Sequence, residues 1–307
     1  MIQRGTPSVY VISLTPFDRS GRIDYGAARQ HLGRLAEAGV GVYVGGGGSG
    51  EGHTLSRTEV QKLLSIAVEE LSGKVPVRAM GVEPRTAKQM IDFVKLARDC
   101  GVEATQIYSL DMGHLGRPRA DEMERYFSDV LDKADLPTVL STHFSVGYLV
   151  PVDLLDRLSR RYEGVVGVNC STPDFTYLVN LLADLNPRVE VHVGGPMQAL
   201  SNLAMGGTGF LSSEGNLAPQ LVQSVVGHYA AGNWPAAAEA FTKVNRLFGI
   251  GMGAGDMKAI YRSLGLPAGY PRLPRLGHSD EAGVARVRKQ LQELGIEELE
   301  RYLADTA

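Results

Sequence analysis

Eight short runs rich in β-branched and other apolar residues, separated by longer stretches with helical periodicity, constrain this chain more than any other feature of its sequence. The runs are Val9 to Leu14, Val42 to Gly45, Val77 to Val82, Ala104 to Leu110, Thr138 to His143, Val165 to Cys170, Val189 to Val193 and Gly209 to Ser212. Between them lie amphipathic stretches such as 27–38, 57–71, 86–100 and 120–134, whose apolar residues recur at three- and four-residue steps. Strands alternating with helices in this way build a parallel sheet with helices packed outside it, and eight alternations suffice to close it. The expected fold is α/β, a TIM (β/α)8 barrel. Gly39, Gly101 and Gly164 each follow a helical pattern and precede a strand, the place where a left-handed C-cap favours glycine.

A barrel of this kind uses about 250 residues, so the 307 residues leave a C-terminal remainder. Residues 220–229, 236–248, 256–264 and 280–303 read as further helices, with Pro267, Pro271 and Pro274 separating the last two. The expected organisation is one domain: residues 1–219 supply the barrel strands and helices, and 220–307 the closing helix and a C-terminal helical extension.

A net charge of −3 with scattered Arg and Lys gives no basic footprint for nucleic acid. No apolar stretch approaches the roughly 18 residues of a membrane helix, and Met1 to Gly5 runs into a turn without a signal-peptide core. The expectation is a cytoplasmic protein with no membrane or nucleic-acid partner. The two cysteines, Cys100 and Cys170, are far apart and read as reduced packing residues. No cofactor or metal is expected.

In such barrels the reactive groups sit at the C-terminal ends of the strands. After the second run comes Gly45-Gly46-Gly47-Gly48-Ser49-Gly50-Glu51-Gly52-His53-Thr54-Leu55-Ser56. Successive glycines let backbone N–H groups approach an anion, and Ser49 adds a hydroxyl. The plainer alternative is a flexible turn leading to a helix capped by Ser56 and Glu59.

The stretch from Gly47 to Ser56 resembles the Gly-Thr-Thr-Gly-Glu-x-x-x-Leu-Ser signature of the dihydrodipicolinate synthase and N-acetylneuraminate lyase family. Leu14-Thr15-Pro16-Phe17-Asp18, Leu136 to Leu140, Gly209 to Pro219, Lys258-Ala259-Ile260 and Gly265-Leu266-Pro267 agree with that family in order. The resemblance implies a TIM barrel with a C-terminal helical extension, assembled as a homotetramer or homodimer and acting on a small-molecule acid. It also implies a Schiff base between a 2-oxo acid and a sixth-strand lysine, and at that position this chain has Asn169. The family tyrosine of the fifth strand falls on Ser141, its paired fourth-strand tyrosines near Asp111 and Met112, and its first signature threonine on Gly48. The eight lysines, Lys62, Lys74, Lys88, Lys95, Lys133, Lys243, Lys258 and Lys289, all fall in helical or helix-flanking segments, where an amine is expected to be solvated and protonated.

Strand alternation puts Ser141 and His143 on one side, and the family correspondence makes that side the interior, shared with Asn169. His143, Ser141 and Asn169 are therefore the candidate catalytic residues: histidine for proton transfer, serine for hydrogen bonding, asparagine for holding a carbonyl or carboxylate oxygen. Gly47, Gly48, Ser49, Asp111 and Ser212 are the candidate substrate-binding residues. Each also has a structural reading: His143 satisfying a loop carbonyl, Ser141 and Asn169 filling space. Glu83, Asp111 and Glu214 lie at or beyond strand ends as further acids or bases, and His192 reads as a buried, hydrogen-bonded residue. The leading expectation is a lyase-family enzyme working on a small 2-oxo or hydroxy acid by noncovalent acid–base catalysis; the alternative is an inactive family barrel serving as a small-acid binding or assembly protein.

Overall fold

Side-chain caps and glycines divide the chain into its elements. The computed structural model describes residues 5–250, 254–277 and 280–304; the reading of Met1 to Arg4 lies outside these. In order come β1 (Ser8–Ile12), α1 (Tyr25–Glu37), β2 (Gly41–Val44), α2 (Arg57–Leu71), β3 (Val77–Ala79), α3 (Ala87–Asp99), β4 (Ala104–Ile107), α4 (Ala120–Leu131), β5 (Thr138–His143), α5 (Val152–Arg161), β6 (Val165–Ser171), α6 (Phe175–Leu185), β7 (Glu190–Gly194), α7 (Ala199–Ala204), β8 (Gly209–Ser212), α8 (Pro219–Ala230), α9 (Trp234–Gly249), α10 (Ala254–Ser263), α11 (Glu281–Leu294) and α12 (Glu297–Ala304). The eight parallel strands close in sequence order, β1 pairing with both β2 and β8. The fold is the expected TIM barrel with its C-terminal helical extension.

Asp24, Thr86 and Asp174 accept from backbone N–H groups in the first turns of α1, α3 and α6, and Ser56 with Glu59 forms the expected capping box on α2. Gly39 and Gly101 take the expected left-handed conformation, whereas Gly164 does not; its carbonyl instead accepts from Thr138 N. The single helix expected over 280–303 is two helices, because Gly295 closes α11 at φ +56°.

The outward faces of the strands and the inner faces of the helices form one apolar core, while Leu14, Leu217, Leu247, Ile260, Tyr261, Leu291 and Leu299 gather a second beneath the C-terminal extension. The inward face of the barrel is unusually polar. Arg78 of β3 pairs with Glu190 of β7 at 2.8 Å, both buried, and its guanidinium lies 4.2 Å over the Tyr10 ring. The His192 ring meets Tyr10 edge-on at 5.2 Å, and its Nε2 hydrogen-bonds Ser8 Oγ at 2.8 Å, the buried role anticipated for it. These groups fill the barrel below its mouth.

Candidate active site

At the C-terminal ends of the strands a cavity of about 550 Å³ opens, and Ser141, His143 and Asn169 line it together with Gly47 and Gly48. The register explains the grouping: Ser141 of β5 lies opposite Asn169 of β6 and His143 opposite Ser171, so the alternation of two paired strands turns all four inward.

Burial shapes the electrostatics of this wall. His143 is 8 % exposed, its Nε2 lies 3.4 Å from Glu83 Oε1, and its ring meets Tyr108 edge-on at 5.6 Å. Burial pushes the imidazole below its usual pKa of 6.5, and the Glu83 carboxylate opposes that shift without cancelling it. The ring is therefore neutral at neutral pH and able to accept a proton. Its Nε2 makes no hydrogen bond within the protein.

Asn169 is held from two sides. Its Nδ2 donates to Gln106 Oε1 at 2.6 Å and to Tyr43 Oη at 3.2 Å, while its Oδ1 has no partner. The sequence reading, in which the amide N–H holds a ligand oxygen, meets a difficulty here, because neighbouring strands already occupy both N–H groups.

The glycine loop between β2 and α2 forms another wall. Gly45 has φ +91°, and a Cβ there would stand 2.6 Å from the Met80 carbonyl oxygen, so only glycine lets the chain turn this closely over β3. Glu51, at φ +50°, is a left-handed residue with a side chain and is fully buried. It is held by Lys258 Nζ and by Arg272 N at 3.0 Å. Lys258 also donates to Thr15 O at 2.6 Å and Tyr270 O at 3.0 Å, and its pKa is pushed down to about 8 by burial against the opposing pull of Glu51. The expectation that every lysine is solvated is thus wrong for Lys258: α10 turns it inward, and the carboxylate it meets is 207 residues earlier in the chain.

Three of the residues assigned to substrate lie elsewhere. Ser49 is buried and donates to Ser213 Oγ at 2.9 Å, on a separate pocket with Glu214 and Tyr261. Asp111 turns away to accept from Gly113 N and pair with Arg85 at 3.3 Å. Ser212 alternates with the cavity-lining Leu211 and so points outward, where it donates to Glu214 Oε2 at 2.9 Å and accepts from Gly215 N. Phe144 and Met112 do not line the cavity, so neither plugs it. Among the described residues no cluster of three His, Cys, Asp or Glu side chains is arranged to hold a metal ion.

The cavity also takes in Gln106 of β4, Tyr108 just beyond it, Met80 beyond β3, Ser145 and Ser171, none of them singled out from sequence. Inward alternation along β4 from Ala104 was a signal available for Gln106 and Tyr108.

A closed (β/α)8 barrel with a polar cavity at the strand C-termini, bounded by a glycine loop, defines the class: a TIM-barrel protein with its candidate site at the barrel mouth. The chain belongs to the dihydrodipicolinate synthetase family, whose model matches residues 7–294. It is 26 % identical over 292 residues to a 4-hydroxy-tetrahydrodipicolinate synthase of Methanococcus maripaludis, covering 94 % of this chain and 98 % of that one. It is 29 % identical to the corresponding protein of Methanothrix thermoacetophila, covering 89 % and 92 %. The same fold occurs in the dihydrodipicolinate synthase of Aquifex aeolicus, with TM-score 0.85, 21 % identity and 94 % and 98 % coverage. It occurs also in YagE, a prophage protein of that family from E. coli K12 solved in complex with pyruvate, with TM-score 0.85, 21 % identity and 94 % and 99 % coverage.

Proposed function

We propose that this chain is a lyase of its family that acts on a small 2-oxo or hydroxy acid without a lysine Schiff base, using His143 for proton transfer. The observation that carries the reading is two buried polar atoms on the cavity wall that make no hydrogen bond within the protein, Asn169 Oδ1 and His143 Nε2, the latter 3.4 Å from Glu83 Oε1. Polar atoms that face a cavity and make no hydrogen bond within the protein are free to bond a ligand there.

Asn169 stands on β6 where the family resemblance calls for the Schiff-base lysine, and a carboxamide cannot form an imine. Lys258 is the buried lysine among the eight, but its Nζ is enclosed by Thr15 O, Glu51 and Tyr270 O, and it does not line the cavity. In this reading the neutral His143 imidazole moves the proton, Glu83 orients it and stabilises its charged form, and Ser141 hydrogen-bonds the ligand. Gly47 and Gly48 let the ligand approach the loop backbone.

The test is a panel of small oxo and hydroxy acids followed by NMR with the wild type and a His143→Gln variant. The expected result is turnover of at least one acid, reduced about 10²- to 10⁴-fold in the variant with binding retained, the usual size of a general acid–base contribution. Binding without turnover anywhere in the panel would overturn the enzymatic reading.

A further inference from the structure

Because both N–H groups of Asn169 are already engaged, the geometry points to a site that recognises a hydrogen-bond donor: the hydroxyl of a 2-hydroxy acid, in preference to the keto oxygen of the matching 2-oxo acid. The inference rests on the proposed function and narrows its substrate class.

A primary carboxamide offers two N–H donors and one carbonyl acceptor. In Asn169 the donors are spent on Gln106 Oε1 and Tyr43 Oη, so only the acceptor Oδ1 is left for a ligand. The residue is 2 % exposed and lines the cavity, so the acceptor faces the ligand space and no protein group meets it.

The two neighbours are themselves braced. Gln106 stands two residues before Tyr108, whose ring packs against His143. The Tyr43 ring lies 5.2 Å from that of Tyr10, which in turn carries the Arg78 guanidinium 4.2 Å away. Rotating the Asn169 amide alone would set its oxygen 2.6 Å from Gln106 Oε1, two acceptors in contact. The orientation is therefore imposed by β2 and β4, and Tyr43 and Gln106 are positioning residues for it.

A keto oxygen is an acceptor only, and placed against Oδ1 it leaves both oxygens unpaired. A hydroxyl supplies the missing hydrogen, and sites built around such a bond discriminate strongly against analogues that lack it.

The experiment is calorimetric titration of the wild type with two matched pairs, lactate with pyruvate and 2-hydroxyglutarate with 2-oxoglutarate, repeated on Asn169→Leu and Gln106→Leu. In at least one pair the hydroxy acid is expected to bind the wild type at least about tenfold more tightly, a modest share of the discrimination open to a buried hydrogen bond. Asn169→Leu should abolish the preference, and Gln106→Leu, which frees an N–H, should move it towards the oxo acid; thermal melts confirm that each variant is folded. Equal or tighter binding of the oxo acid in every pair that binds would overturn the inference and leave the proposed function standing. If no member of either pair binds, both fall.

Discussion

At His143 two effects compete, and burial wins over the nearby Glu83 carboxylate, so the imidazole titrates below 6.5. An NMR titration of the His143 ring should show a midpoint below 6.5, and Glu83→Gln should lower it further by removing the charge that raises it. A midpoint at or above 6.5, or a rise in the variant, would contradict the assignment of which effect dominates. If the neutral ring is the base, turnover declines only as pH falls through that lowered midpoint. The alternation of β5 made Ser141 and His143 readable as one inward pair, and the sequence correspondence brought Asn169 beside them. Tyr43 and Gln106 stayed hidden because what matters there is a contact between non-adjacent strands, β2 and β4 reaching β6 across the barrel. Ser49 and Ser212 turn away from this cavity for a related reason: a hydroxyl near a strand end has several local partners to choose from, and here it bonds Ser213 and Glu214.

Among the elements, the glycine loop is the one whose shape depends on a distant partner. Lys258 of α10 reaches Glu51 in the loop after β2, and the segment after α10 adds Arg272, whose guanidinium bonds Glu59 and Thr54 O. Removing one member of a buried ion pair strands the other, which costs about 3–5 kcal/mol. Lys258→Met should therefore lower the unfolding free energy, read from urea titration, by an amount of that order, and adding Glu51→Gln should recover part of the loss. A loss below about 1 kcal/mol, the worth of an exposed pair, would mean the clamp is solvated. Strand and helix positions were mostly readable, because the period-two and period-3.6 patterns are local. The departures were local too: the runs at β3 and β4 end earlier than their apolar residues, at Ala79 and Ile107, where the chain leaves the sheet for the mouth. Lys258 could not be read as buried, since its acceptors come from Thr15, Glu51 and Tyr270.

At the scale of the whole molecule, the buried histidines outside the cavity tie stability to pH. Burial pushes His31, bonded to Asn216, and His192, bonded to Ser8, down to about 3. Between that value and 6.5 the unfolded chain binds protons that the folded chain does not, so stability rises with pH across this window and is lost on acidification. Each histidine contributes about 1.4 kcal/mol per pH unit there. Urea unfolding at pH 7 and pH 4.5 should show a steep fall for the wild type and a shallower one for His31→Gln with His192→Gln; parallel slopes would contradict the burial of these rings. The claim on which the functional account turns is that no lysine of this folded chain forms an imine at the mouth, and intact mass after incubation with pyruvate and borohydride tests it most directly. The wild type should keep its unmodified mass, because Asn169 is not an amine and Lys258 is sealed in its clamp. A stable pyruvate adduct on the wild-type chain, mapped to any one lysine, would contradict it.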